Sequence, residues 1–194
     1  MKFLFWCAFE HLEFRIPEFE ALAKLLKIEL HWVDKNQTHP WVILDLKSSE
    51  EACKLCSRSI STKFCAQLWV QSENYDKLHQ QIRNYLSDNG LKYGPEISFK
   101  IHIETIFKKS NIEERLAKIE TFSYMDCQGQ VKLTNPDVTF AAFEFYGFDQ
   151  NNLAEEPLNL FFGTLISEGQ RELISKLSLK KRLFIGNVQF SLTP

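Results

Sequence analysis

Three groups of residues have types and spacings that suit chemistry. Arg171, Lys176, Lys180, Lys181 and Arg182 put five cations against the single acid Glu172 between positions 170 and 182. Such a cluster neutralises phosphates and binds nucleic acid with a salt-dependent affinity through counterion release. Lys108 and Lys109, beside the strand-like "KIHIETIF", form a second, weaker basic patch. The third group, Cys53-Lys54-Leu55-Cys56, has the CxxC spacing of zinc sites and dithiol exchange, yet no second CxxC or paired His completes a tetrahedral set.

Other reactive patterns are missing. His11, His31, His39, His79 and His102 show neither HxH nor HxxxH spacing, so ordinary strand, turn and surface roles are expected and no metal is predicted. No GxSxG, GxxxxGK[ST] or GxGxxG occurs, and seven glycines leave little material for a phosphate-cradling loop. No catalytic residue and no cofactor-binding residue is assigned. Tyr75, Phe107 and Tyr146 are candidates to stack on unpaired bases, although most of the 17 phenylalanines must be core.

Composition bounds the partners. With 23 Lys and Arg against 25 Asp and Glu the net charge is −2, so nucleic-acid binding has to come from a local patch. The opening "MKFLFWCAFEHLEF" has the apolar run of a signal peptide, but Glu10 and Glu13 stand where a cleavage site belongs, which predicts a buried strand. No apolar run reaches the roughly 20 residues of a membrane span. The odd count of five cysteines suits free thiols in a reducing compartment, and the expected location is cytoplasmic.

The elements that position these groups follow from period and caps. Lys2–Phe9 reads as a strand. A helix follows with Pro17 in its first turn and Phe19, Leu22, Leu25 and Leu26 on one face. The runs 30–35 and 41–46 predict a hairpin across Asn36–Pro40. Ser48 and Glu51 form a capping box for a helix with Ala52, Leu55, Cys56 and Ile60 inward, and 64–70 is a further strand. The order is β-α-β-β-α-β, a ferredoxin-like unit over residues 1–73.

Beyond it, Tyr75, Leu78, Ile82, Tyr85 and Leu86 mark a helix ending before Gly90, and 97–105 alternates as a strand. Ser110 and Glu113 are expected to cap a helix with Ile112, Leu116, Ile119 and Phe122 on one face. "QVKLTNPDVTFAAFEFYGF" offers two strands broken at Asn135-Pro136, and "NLFFGTLISEG" a third. Ser167 and Gln170 are expected to cap a last short helix bearing Leu173, Ile174 and Leu177. The fold class is α+β: the ferredoxin-like unit, then an α/β domain over 74–179 and a basic linker over 180–194.

Three passages carry a resemblance: "EHLEFRIPEFEALAKL", "YGFDQNNLAEEPLNLFFG" and "ISEGQRELISKLSLKKRLFIGN". Together they resemble the N-terminal half of the eukaryotic tRNA guanosine N2-methyltransferases that act at tRNA position ten. The resemblance runs from about Phe3 to Asn187. It implies that the second domain is a THUMP domain and that the chain grips tRNA, in particular its acceptor end; the two basic groups, Arg171, Lys176, Lys180, Lys181 and Arg182 with Lys108 and Lys109, are on their charge the expected phosphate contacts. The family continues from Asn-Thr-Ser-Met into a Rossmann-like domain that binds S-adenosylmethionine; here Val188 follows Asn187, and the expectation is a chain without the catalytic domain, inactive alone. The family's small zinc-binding activator subunit is expected only with the full-length enzyme. A protein-interaction domain with no RNA role is the rival reading.

Overall fold

The computed structural model describes residues 1–91 and 93–170. Its elements run β1 (Lys2–Cys7), α1 (Arg15–Leu26), β2 (His31–Asp34), β3 (Trp41–Asp45), α2 (Ser49–Cys56), β4 (Thr62–Ser72), α3 (Tyr75–Asn89), β5 (Phe99–Thr105), α4 (Ile112–Glu120), β6 (Val138–Phe145) and β7 (Asn159–Glu168). The strands form one seven-stranded sheet in the order β2-β3-β1-β4-β7-β6-β5. Neighbours among its first four strands pair antiparallel, in the ferredoxin-like order. The α+β expectation is met. β4 is shared: it pairs with β1 on one side and with β7 on the other, so the sheet is continuous across residue 73.

Alternation along each strand sorts the side chains into three cores. Phe3, Phe5 and Cys7 of β1 meet Phe19 of α1 and Leu55 of α2. Phe140 and Ala142 of β6 and Phe162 of β7 meet Leu78 and Ile82 of α3 with Phe122, which follows α4. The opposite faces share a third core of Trp6, Trp41, Phe143, Phe145 and Phe161. In a flat sheet β3 and β6 lie about 19 Å apart, four strand spacings. Trp41 and Phe145 nevertheless have ring centroids 5.1 Å apart, and Trp6 and Phe143 5.3 Å. The sheet therefore bends sharply, and its register shifts in β4 at Cys65/Ala66 and Leu68/Val70 are the bulges that bend it. Gly163 permits the close crossing there, because a Cβ would stand 2.1 Å from the Gln67 carbonyl oxygen.

Several local expectations need correction. The cap of α4 lies one residue later than Ser110 and Glu113: Asn111 accepts from Glu114 N at 2.7 Å while the Glu114 carboxylate accepts from Asn111 N at 3.2 Å. Ile112 and Leu116 are exposed rather than inward, because α4 touches the sheet mainly through Lys118 and its C-terminal turn. Leu25 is also exposed; the stripe α1 buries is the narrower Ile16, Phe19 and Ala23. Ile60 lies past the end of α2, in a turn where its N–H donates to Glu18 Oε1 at 2.7 Å, and its side chain points outward. The stretch before Asn135-Pro136 is reduced to a single bridge between Phe99 and Val131. Ser167 belongs to β7, and the Gln170 N–H donates to the Ser59 carbonyl at 3.2 Å; the helix expected after them lies outside the described residues. No helix among the described residues is long and apolar enough to cross a membrane.

Candidate nucleic-acid interface

One end of the second half of the sheet opens into a cleft of about 760 Å³ between α3, α4 and the loops after β5 and β6. Each wall has a local cause. Asn74 caps α3 by accepting from Lys77 N at 2.9 Å, which starts the helix so that Tyr75, His79 and Arg83, four residues apart, share the cleft-facing side. The capping box of α4 sets Glu114, Lys118 and Thr121 on the facing side. Between β5 and α4 the chain reverses at Phe107, whose φ of 67° is left-handed, and Thr105 Oγ1 donates to the Lys108 carbonyl at 2.5 Å. That turn delivers Lys108 to the rim.

The floor is a buried polar cluster. Glu144 is the one charged residue of β6, on the same side as Phe140 and Ala142, and has no accessible surface. An isolated carboxylate there would be costly. It is compensated by Lys118, whose Nζ lies 2.6 and 2.8 Å from the two carboxylate oxygens, by the Tyr75 hydroxyl, and by the Tyr146 hydroxyl, which donates at 2.9 Å. Lys118 Nζ also donates to the Tyr146 oxygen at 2.8 Å. Burial first, and the Glu144 charge second, push both phenols well above the usual tyrosine range, so both stay protonated donors. Lys108 Nζ sits 3.9 Å from the Tyr146 ring centroid and donates to the Glu155 carbonyl at 2.7 Å.

The rim carries both signs. Arg83 lies 4.1 Å over the Tyr124 ring, and Lys108 lines the cleft too, but so do Asp76, Glu114, Glu155 and Glu156. Burial, then the charge of Arg83, lowers the pKa of His79, which pairs through Nδ1 with the Tyr124 hydroxyl at 2.8 Å. The cleft therefore offers hydrogen-bonding variety more than a field of one sign.

Of the predicted binding residues, Lys108 reaches this rim and Lys109 is exposed in the same turn. Arg171, Lys176, Lys180, Lys181 and Arg182 lie outside the described residues. Tyr146 is not a stacking surface: it is buried and its hydroxyl serves Glu144. Phe107 packs edge-on against Phe9 at 4.6 Å. Cys56 is buried in the first core, and Cys53 approaches the Ile166 carbonyl at 3.6 Å. The Glu144–Lys118 pair was not foreseen; its one sequence signal is a lone acid within "FAAFEF".

Comparison with known proteins bears on the whole of this architecture. A family model described as the Tmrp11 THUMP N-terminal domain matches residues 1–171. The chain belongs to this family. The resemblance carried by the three sequence passages is thus confirmed. A Gallus gallus protein named tRNA (guanine(10)-N(2))-methyltransferase TRMT11 is 38% identical over 188 residues, which are 96% of this chain and 41% of that protein. A Saccharomyces cerevisiae tRNA (guanine(10)-N(2))-methyltransferase is 29% identical over 193 residues, 97% of this chain and 44% of that protein. Among solved structures, TrmN from Thermus thermophilus overlays on 87% of this chain and 46% of its own, with 16% identity and a TM-score of 0.48. The chain spans about two fifths of the length of the curated relatives it matches.

Proposed function

We propose that this THUMP N-terminal chain binds tRNA and is the substrate-positioning part of an S-adenosylmethionine-dependent tRNA (guanine(10)-N(2))-methyltransferase. The observation that carries this reading is the 38% identity, over 96% of the chain, to a protein of that name. Phosphate contacts are assigned to Arg171, Lys176, Lys180, Lys181 and Arg182, with Lys108 and Lys109 contributing from the turn between β5 and α4. Charge on the cleft rim supports a limited share for that turn, since acids offset its cations. Such contacts fix orientation, while the shape of the acceptor end supplies selectivity.

In this reading residues 1–73 and 74–179 act as ferredoxin-like and THUMP units on one shared sheet, with 180–194 as the basic connector. In this reading the methyl donor binds outside residues 1–179. The zinc-binding activator subunit belongs to the full-length enzyme, and the site of action is the cytoplasm. Filter binding of the full chain to tRNA with and without its CCA end tests the reading: preference for the intact end supports it, and absence of retention on either RNA overturns it.

A further inference from the structure

A second concave site lies at the end of the sheet that carries the bend's aromatic core. It is a shallow pocket of about 390 Å³ between the turn at Leu12–Glu13 and the turn at Gln37–Thr38, with Phe148 on one wall. Phe148 is 46% exposed and lies at the end of an aromatic series whose inner members Trp6 and Trp41 are buried and whose next member, His39, is half-buried. Trp6 stacks on Trp41 with an interplanar angle of 6°, Trp41 stacks on His39 at 4.4 Å and 20°, and His39 stacks on Phe148 at 6.0 Å and 14°. Four rings thus run nearly parallel from the interior to the surface, and the outermost one ends in an open pocket. Gly147, with φ of 116°, makes the turn out of β6 that brings Phe148 there, a conformation that residues with a Cβ rarely adopt.

The pocket walls are tied together by a buried cation. Arg15 is 1% exposed, and its guanidinium donates to the carbonyls of Leu12 at 3.2 Å, of Gln37 at 2.9 Å and of His39. These are one carbonyl from the first wall and two from the second. Three of its hydrogen bonds go to carbonyls, and the Cys7 thiol and the Glu13 carboxylate lie within electrostatic reach of it. Burying an arginine this way is costly, and what it achieves is a rigid pair of walls with a positive charge behind them. Glu13, which also lines the pocket, faces His11 Nδ1 at 3.7 Å.

From the parallel ring series, the open face at its end and the cation behind it, we infer that this pocket holds one unpaired RNA base, stacked on Phe148. A base extends the ring series in kind. Glu13, Gln37 and Thr38 are the polar residues that line the pocket with Leu12 and Phe148. The inference rests on the tRNA-binding reading, but it concerns a pocket that shares no lining residue with the cleft of Lys108 and a contact that does not depend on phosphate charge. Stacking of this kind is worth about 5- to 100-fold in affinity for each base.

The test compares the full wild-type chain with Phe148→Leu, which keeps apolar packing without a ring, and Phe148→Trp, which keeps a ring. Binding is measured to tRNA, to a short unstructured RNA oligonucleotide and to a perfect RNA duplex of equal length. Expected is a 5- to 100-fold loss of oligonucleotide affinity for Phe148→Leu that moderate salt does not alter, an unchanged duplex affinity, and near wild-type values for Phe148→Trp with quenching of the added indole. Equal loss on duplex and oligonucleotide, or no loss for Phe148→Leu while wild type still binds tRNA, overturns this inference alone. Failure of wild type to bind any of the three RNAs overturns the tRNA reading together with it. A self-association that Phe148→Leu abolishes, with RNA affinity unchanged, assigns the pocket to a second copy of the chain and overturns it as well.

Discussion

Lys118 Nζ lies 2.6 Å from Glu144 Oε1, and that carboxylate is completely removed from solvent. The pair ties α4, whose other residues are largely exposed, to the central sheet. Removing the cation leaves the buried charge to the Tyr75 and Tyr146 hydroxyls alone. Lys118→Met should therefore lose about 3–5 kcal/mol, read as a lower urea midpoint with an unchanged m-value. The double variant Lys118→Met/Glu144→Met should recover much of that loss, since an apolar pair can replace a buried ion pair. A single variant as stable as wild type would show that α4 is held by something other than this contact.

His79 gives the cleft a pH dependence whose sign can be fixed. Its pKa in the folded chain is below the ordinary value because of burial and then Arg83. The unfolded state therefore binds more protons in the window below the ordinary value near 6.5, and stability falls as pH falls through it. Between pH 7.5 and 5.5 the wild-type chain should lose more stability in urea titrations than His79→Phe does. Equal losses in the two proteins would remove His79 as the cause.

Arg15 predicts a local effect in the first half of the chain. Arg15→Met should leave the Leu12, Gln37 and His39 carbonyls without their shared donor. The expected cost is about 2–4 kcal/mol, with faster amide exchange at 12–14 and 36–39 than elsewhere. Arg15→Lys should recover part of it, because an ammonium reaches fewer of three divergent carbonyls than the planar fork does. Uniform exchange across the chain would indicate global rather than local loosening.

How far the sequence reaches depends on the range of the interaction. The cap of α2 by Ser48 and the end of α3 at Gly90 were legible because caps are local chemistry. The cap of α4 was misplaced by one residue because Ser110-Asn111 offers two adjacent capping side chains and Glu113-Glu114 two partners, and only the approach to the sheet decides between them. The bend of the sheet was not legible, since bulges in β4 leave no mark on a run of alternating residues. In the candidate site, Lys108 could be named from charge. Lys118 could not: on a helix of nine residues its partner Glu144 is 26 positions away, and no local pattern joins them. Phe148 was hidden among many phenylalanines, its exposure set by the turn at Gly147.

The central claim, that cations of this chain grip tRNA phosphates, is tested most directly by the salt dependence of binding. The logarithm of the tRNA association constant is measured against the logarithm of salt concentration for the full chain and for Lys180→Ala/Lys181→Ala/Arg182→Ala. Each lost phosphate contact should reduce the slope by about 0.7–0.9, so the triple variant should show a line shallower by about 2 and weaker binding at every low-salt point. A wild-type affinity that does not change with salt, or a triple variant whose line coincides with that of wild type, would contradict the account.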